Sequence, residues 1–148
     1  MSYNGRKLKY FVDDSDGWLR RNRQAVEQFV MAEDDVETKE MMGLLSPRAH
    51  FASFWGVVRG LPASMALQAQ EREHLRITWI SGVQPLTSHT FVRTGYAHVL
   101  DRDRTLTIPI IGPWLSSFFQ RPVQECLVVR EGRVVFRSLG YVWDIGKH

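Results

Sequence analysis

Hydrophobic and polar positions change period twice along this chain, and the changes divide it into elements. Trp18, Leu19, Asn22, Ala25, Val26, Phe29 and Val30 fall on one stripe of a 3.6-residue period, with Arg20, Arg21, Arg23, Gln24, Glu27 and Gln28 opposite. This predicts an amphipathic helix of about four turns, capped by Ser15 or Asp16. Acids favour a helix N-terminus, so Glu33-Asp34-Asp35 predicts the start of a second, shorter helix. Its apolar members are Val36, Met41, Met42 and Leu45, and Ser46-Pro47 is its stop. From Arg48 to Trp55 the period turns toward a strand, which Gly56 and Gly60 interrupt. Leu61-Pro62 opens a third helix carrying Met65, Ala66 and Ala69 and running out in Glu71-Arg72-Glu73.

The rest reads as β. Leu75–Val83 has Leu75, Ile77 and Trp79 on one face, and Thr90–Leu100 and Thr105–Ile111 follow, with Asp101-Arg102-Asp103-Arg104 as the turn between them. Pro113–Pro122 breaks the pattern with bulky apolar residues that fold back over the sheet or sit at a subunit interface. The last pair, Val123–Val129 and Val134–Tyr141, flanks Arg130-Glu131-Gly132-Arg133. It predicts a hairpin in which Gly132 takes positive φ. The predicted order is helices first, one strand, a helix, and then four strands. The first fourteen residues have no clear period and are expected to form an N-terminal arm.

Composition narrows the class. With 148 residues, 44% hydrophobic and 24% charged, the chain can bury a core as one domain spanning 1–148. No run of about eighteen apolar residues could span a bilayer, and MSYNGRKLKY lacks a signal-peptide core, so a soluble cytoplasmic protein is expected. A net charge of +3 does not argue for nucleic acid, and neither a membrane nor a nucleic acid is an expected partner. Cys126 is the single cysteine, so no internal disulfide or cysteine-rich metal cluster is available. His89 and His98 lie an odd number of residues apart on one predicted strand and face opposite ways, so no metal site is expected.

One acid breaks the apolar pattern. Glu125 shares a strand face with Val123, Leu127 and Val129, while Cys126 faces the other side. It is either an edge residue meeting Arg121 or solvent, or a pocket acid whose burial raises its pKa toward neutrality and fits it for proton transfer. Tyr96 and His98 share a face and form either a structural hydrogen bond or a pair that orients a polar substrate. Phe51 and Ser53 share a face of the first strand, opposite His50. Trp55, Trp79, Tyr141 and Trp143 are either plain core or aromatic walls for a flat ligand. Asp144 caps the chain end or pairs with Arg59 or Arg93. No phosphate-binding glycine loop or nucleophile elbow is present.

Three helical segments, then strands closing in Glu131-Gly132-Arg133-Val134 and Tyr141-Val142-Trp143-Asp144, resemble the nuclear transport factor two-like superfamily over about 16–144. That group includes ketosteroid isomerases, scytalone dehydratase, limonene epoxide hydrolase and SnoaL-like polyketide cyclases. Leu19–Glu27 and Phe54-Trp55 with Val57-Val58-Arg59-Gly60 are similar to the phenazine biosynthesis A/B proteins. The resemblance implies an α+β fold, a cone-shaped, curved antiparallel sheet packed against N-terminal helices, with a pocket between them. It places Ser53 where a ketosteroid isomerase has its catalytic carboxylate, Phe29 where it has a tyrosine, and Glu125 at its second acid. The acid of the phenazine proteins falls at Gln120.

The expected function is therefore cofactor-free acid/base chemistry (isomerisation, dehydration or cyclisation) on a hydrophobic, oxygenated small molecule, of the kind found in secondary and polyketide metabolism. Glu125, His98 and Tyr96 are the expected catalytic residues. Ser53, Phe51, Trp55, Phe29, Trp79, Tyr141, Trp143 and Arg93 are the expected substrate-binding ones. No cofactor and no metal are implied, and a homodimer is expected. The alternative from a different class is a non-catalytic ligand-binding or oligomer-forming accessory protein.

Overall fold

The computed structural model describes residues 17–100 and 121–142. The N-terminal arm, the predicted strand at Thr105–Ile111, most of Pro113–Pro122, Trp143 and Asp144 lie outside them. Helix α1 spans Trp18–Asp34, followed by α2 (Thr38–Leu44), β1 (Leu45–Ser53), β2 (Gly56–Arg59) and α3 (Leu61–His74). Then come β3 (Leu75–Trp79), β4 (Gln84–Pro85), β5 (Thr90–Val99), β6 (Arg121–Arg130) and β7 (Arg133–Tyr141).

The strands form one open sheet in the order β2-β1-β7-β6-β5-β3, with β4 added to β5. Pairing is antiparallel except between β1 and β7, which run parallel and are separated in sequence by α3 and the rest of the sheet. The result is the expected α+β architecture with one parallel seam. The β6–β7 hairpin closes on Glu131-Gly132, whose φ values of +53° and +75° define a primed two-residue turn. Such a turn has the twist that antiparallel strands need, and Gly132 supplies part of it without strain.

The inner sheet face is banded. Phe91, Leu127, Val129 and Val134 join Val26, Phe29 and Val30 of α1, with Met41, Leu45, Ala49, Phe51 and Leu67, in the main apolar core. Leu75, Ala97, Val123 and Leu139 form a second, smaller cluster with Phe54, Ile77, Trp79 and Tyr141. Between the two, on three adjacent strands, lie the directly paired Arg93 and Glu125 and, one inward step along on β7 opposite Leu127, Arg137, all buried. Strict alternation along β5 and β6 produces this band, because Arg93 and Glu125 are directly paired and flanked by Phe91–Leu127 and Gly95–Val123.

Three local expectations are corrected. Glu33 and Asp34 end α1 rather than opening the second helix, which starts only at Thr38. Two carboxylates at a helix C-terminus oppose the helix dipole, and they are held there by arginines of the sheet. The helix stops in a Schellman arrangement, with the Glu37 N–H donating to Ala32 O at 2.8 Å and the Val36 N–H to Glu33 O at 3.2 Å. Second, β1 begins at Leu45 and runs through Pro47, and Gly56–Arg59 forms a hairpin strand rather than merely a break. Third, α3 buries Ser64, Leu67, Gln68 and Glu71, whereas Ala66 and Ala69 face solvent. Its polar side turns inward because the band it covers is charged.

The Schellman position that normally holds glycine is occupied by Val36 at φ +57°. A β-branched residue there carries about 1–2 kcal/mol of strain, and half of its side chain remains in water. Val36→Gly is expected to raise stability in urea unfolding by roughly 0.5–1 kcal/mol after the entropy of the new glycine is counted. Unchanged or reduced stability would show that the strain is absorbed by neighbouring contacts.

Candidate functional site

Helices α1 and α3 lie across the charged band, and their acids complete it. Arg93 on β5 is 4% exposed. Its Nε donates to Glu125 Oε1 at 2.6 Å, its Nη2 to Glu33 Oε1 at 2.9 Å, and both Nη atoms reach the Asp34 carboxylate at 3.0 Å. Arg137 on β7 is 2% exposed. Its Nη1 meets Glu71 Oε2 of α3 at 2.7 Å, and its Nε is shared between Glu125 Oε2 at 2.8 Å and Glu33 Oε2 at 3.0 Å. Gln68 Nε2 donates a further hydrogen bond to Glu33 Oε2 at 2.6 Å. Neighbouring carboxylates raise the pKa of both guanidiniums despite burial, so both are cations at any ordinary pH.

Charge counting sets the protonation state. Three buried carboxylates, Glu33, Glu71 and Glu125, face two buried guanidiniums, leaving one negative charge in excess before the half-exposed Asp34 is added. An unpaired charge in such a place is avoided by binding a proton. Burial, with Glu125 close by, pushes Glu33 up to about 8 against the pull of Arg137 and Arg93. Although equally buried, Glu125 is held down at about 2 by Arg137 and Arg93 and by its hydrogen bond with Glu33. The two form one coupled pair that keeps a proton on the Glu33 side near neutrality. The expected upward shift of Glu125 is thereby corrected: burial acts on it, but two cations outweigh burial.

A cavity of about 220 Å³ opens beside this network. Glu33, Asp34 and Val36 at the end of α1, Gln68, Glu71 and Arg72 of α3, Leu75, Ile77 and Trp79 of β3, and Arg93 and Arg137 of the sheet line it. The Arg93 guanidinium lies 3.8 Å from the Trp79 ring centroid, a cation–π contact that flattens one wall. Gly95 makes room for that indole, since a Cβ there would collide with the Thr78 carbonyl and come within 3.0 Å of Trp79 Cα and Cε3. Among the described residues no three His, Cys, Asp or Glu side chains converge as metal ligands. No helix among them is long and apolar enough to cross a membrane.

Of the residues singled out from sequence, Trp79 and Arg93 line this cavity. Glu125 is 0% exposed and anchors the network behind the cavity without lining it. Tyr96 and His98 are not beside Glu125. On β5 the inward positions are Phe91, Arg93, Gly95 and Ala97, so Tyr96, 38% exposed, and His98 lie on the opposite sheet face. Phe29 and Phe51 are core, with the Phe51 ring 5.4 Å from the Arg137 guanidinium. Ser53 has a buried Oγ with no partner among the described residues and is not part of the lining. Tyr141 packs against Phe54 at 4.4 Å in the second cluster, and Trp55 is partly exposed against His74. Trp143 is outside the described residues.

Glu33, Gln68, Glu71, Arg72 and Arg137 are the cavity residues that sequence reasoning passed over. Glu33 carried a signal, since it continues the Val26–Phe29–Val30 stripe by a further helical step. Arg93 and Arg137 carried the same signal as Glu125, a charge at an inward position of a β-alternation.

This is an open α+β sheet with helices across it and a small charged cavity between the layers. A family model described as an NTF2-like domain matches residues 6–145, and the chain belongs to that family. No curated protein matches it in sequence. An NTF2-like protein of Burkholderia xenovorans superposes with a TM-score of 0.60 at 17% identity, covering 83% of this chain and 90% of that one. A proposed polyketide cyclase of Sinorhizobium meliloti gives 0.57 at 9% identity over 79% and 94% of the two chains. One of Xanthomonas campestris gives 0.56 at 13% over 84% and 93%. At these identities the likeness is one of fold.

The two shifted acids make stability depend on pH in opposite senses. Between the ordinary value of 4.5 and about 8, folded Glu33 holds a proton that the unfolded chain has released, so stability falls as pH rises. Between 4.5 and about 2, folded Glu125 stays ionised while the unfolded chain takes up a proton, so stability falls as pH falls. Urea unfolding across pH is expected to peak on the mildly acidic side. Glu33→Gln is expected to abolish the decline toward pH 8, and a decline of equal slope in that variant would assign it elsewhere.

Proposed function

We propose that the cavity is an acid/base site for a small polar molecule and that Glu33 is its proton carrier. The supporting observation is the divergence of two neighbouring carboxyl groups. One is held neutral near pH 7 at the cavity wall, the other is fixed as an anion behind it. Pairs driven apart in this way divide the roles of acid and electrostatic support. A carboxyl group near 8 can protonate a carbonyl oxygen or a departing hydroxyl at neutral pH, and its conjugate base can take the proton back. Isomerisation, dehydration and cyclisation next to a carbonyl all need that step. The family likeness to proposed polyketide cyclases is consistent with this group of reactions.

In this reading the catalytic role expected of Glu125 passes to Glu33, and Glu125 becomes a positioning residue that fixes both guanidiniums. The substrate is smaller and more polar than a flat hydrophobic ring system. About 220 Å³ is below the roughly 300–1,000 Å³ of drug-sized sites, and six lining side chains are ionisable. The same dimensions favour, as a second reading, an accessory protein that binds such a molecule without turnover.

Solvent deuterium exchange at the carbon next to a carbonyl, followed by NMR over a panel of small β-hydroxy and β-oxo compounds, tests the proposal. Exchange is expected above the buffer rate, with protonated Glu33 polarising the carbonyl oxygen while solvent water takes the carbon-bound proton. It falls as pH rises through about 8 because Glu33 then loses its proton. Glu33→Gln keeps the shape and is expected to lower the rate by roughly 10²–10⁴-fold. Binding without any exchange would favour the accessory reading. Equal exchange in the variant would remove Glu33 from the chemistry.

A further inference from the structure

Two polar groups of the cavity wall are left over when the network is complete. Gln68 is 1% exposed, and with Nε2 committed to Glu33 its Oε1 has no donor among the described residues. Arg72 has a buried Nη1 with no acceptor among them. Both side chains line the cavity. A buried acceptor and a buried cationic donor without partners are unfavourable, and proteins retain such groups where something else completes them.

The two orphans are not interchangeable with the other polar groups of the site. Arg93 is taken up by Glu33, Asp34 and Glu125, and Arg137 by Glu33, Glu71 and Glu125. Arg72 has no carboxylate partner among the described residues, and it is the lining guanidinium with an unsatisfied N–H. Residues 68 and 72 are one helical turn apart on α3, which puts their Cβ atoms about 5–6 Å from each other on one face. Leu75, Ile77 and Trp79 supply an apolar stretch of wall beside them.

From this arrangement we infer that the cavity takes a short carboxylic acid bearing a hydroxyl group. Its carboxylate pairs with Arg72, its hydroxyl donates to Gln68 Oε1, and its carbon skeleton lies against Leu75, Ile77 and Trp79. An anion suits Arg72 because a guanidinium presents parallel N–H groups to a carboxylate. The hydroxyl suits Gln68 because the orphan there is an acceptor. This inference rests on the cavity being the working site of the preceding proposal, and it names the substrate class. It places the ligand's polar carbon within the same small space as the Glu33 carboxyl.

Glycolate is the smallest probe with both groups; propionate lacks the hydroxyl and glycolamide lacks the charge. Titration of the intact protein by NMR is expected to show glycolate binding at millimolar concentration or better, with propionate and glycolamide weaker. Arg72→Gln is expected to weaken glycolate by about tenfold to a hundredfold, the equivalent of a charge-assisted hydrogen bond, and Arg72→Lys to restore part of it. Because no carboxylate among the described residues pairs with Arg72, the fold should tolerate both variants, which thermal unfolding checks. No glycolate binding at millimolar concentration, equal binding of glycolamide, or indifference to Arg72→Gln would each overturn the inference. Binding is read without turnover, so an inert Glu33 would not affect this result. Equally, failure to bind glycolate would not affect proton exchange on neutral compounds.

Discussion

Two guanidiniums hold the helices of this protein to its sheet. Arg93 and Arg137 rise from neighbouring parts of the inner face, share Glu125 between them, and reach outward to Glu33 and Asp34 of α1 and Glu71 of α3. The contacts to α1 and α3 span 59 residues or more, so that part of the network closes only when sheet and helices are already together. Apolar packing above and below brings them together, and the ionic band fixes how they are aligned. Removing either arginine would leave buried carboxylates without a counter-charge, a loss of about 3–5 kcal/mol where such pairs have been broken.

The same network creates the chemical asymmetry of the site. A band with equal numbers of acids and bases would be inert, with every proton where an exposed side chain would have it. One acid too many forces a proton to remain, and geometry decides where. Both acids have each oxygen engaged by the two arginines, Glu125 at 2.6 and 2.8 Å and Glu33 at the longer 2.9 and 3.0 Å, and of the two only Glu33 lines the cavity. Structural necessity and the proposed proton-transfer role thus have one origin, the excess charge.

The cavity is also shaped by what the band excludes. An interior lined only by Leu, Phe and Val at this level would have closed on itself or opened into a hollow suited to apolar rings. Charged side chains extend and pair instead, leaving a small space with Trp79 laid flat on Arg93 as one wall. Gly95 is the position that permits this, because a larger residue would push the indole off. The long helix α1 ends at this level in a strained residue, Val36, which is itself part of the lining.

Much of the fold was legible in the chain because it depends on local periodicity. The α1 stripe and the alternation that turns Glu125 inward and Cys126 outward follow from spacings of about three and a half and two residues, the helix opening at Leu61-Pro62 from its proline, and the turn within Arg130–Arg133 from Gly132. Glu125 stood out for the same reason. That Arg93, Arg137, Glu33 and Glu71 would gather with it did not, because they come from four elements, and no local rule says which inward charges will meet. That blindness produced two errors of one kind. Glu33-Asp34 read as a helix start because acids are unfavourable at a helix end, and Glu125 read as a raised acid because burial alone raises pKa. Both follow from local physics, and both were reversed by arginines that only the register of β5, β6 and β7 places within reach. Sequence determined which side chains turn inward; tertiary structure decided which charges share a space, because Coulomb interactions act through distance and not through position in the chain.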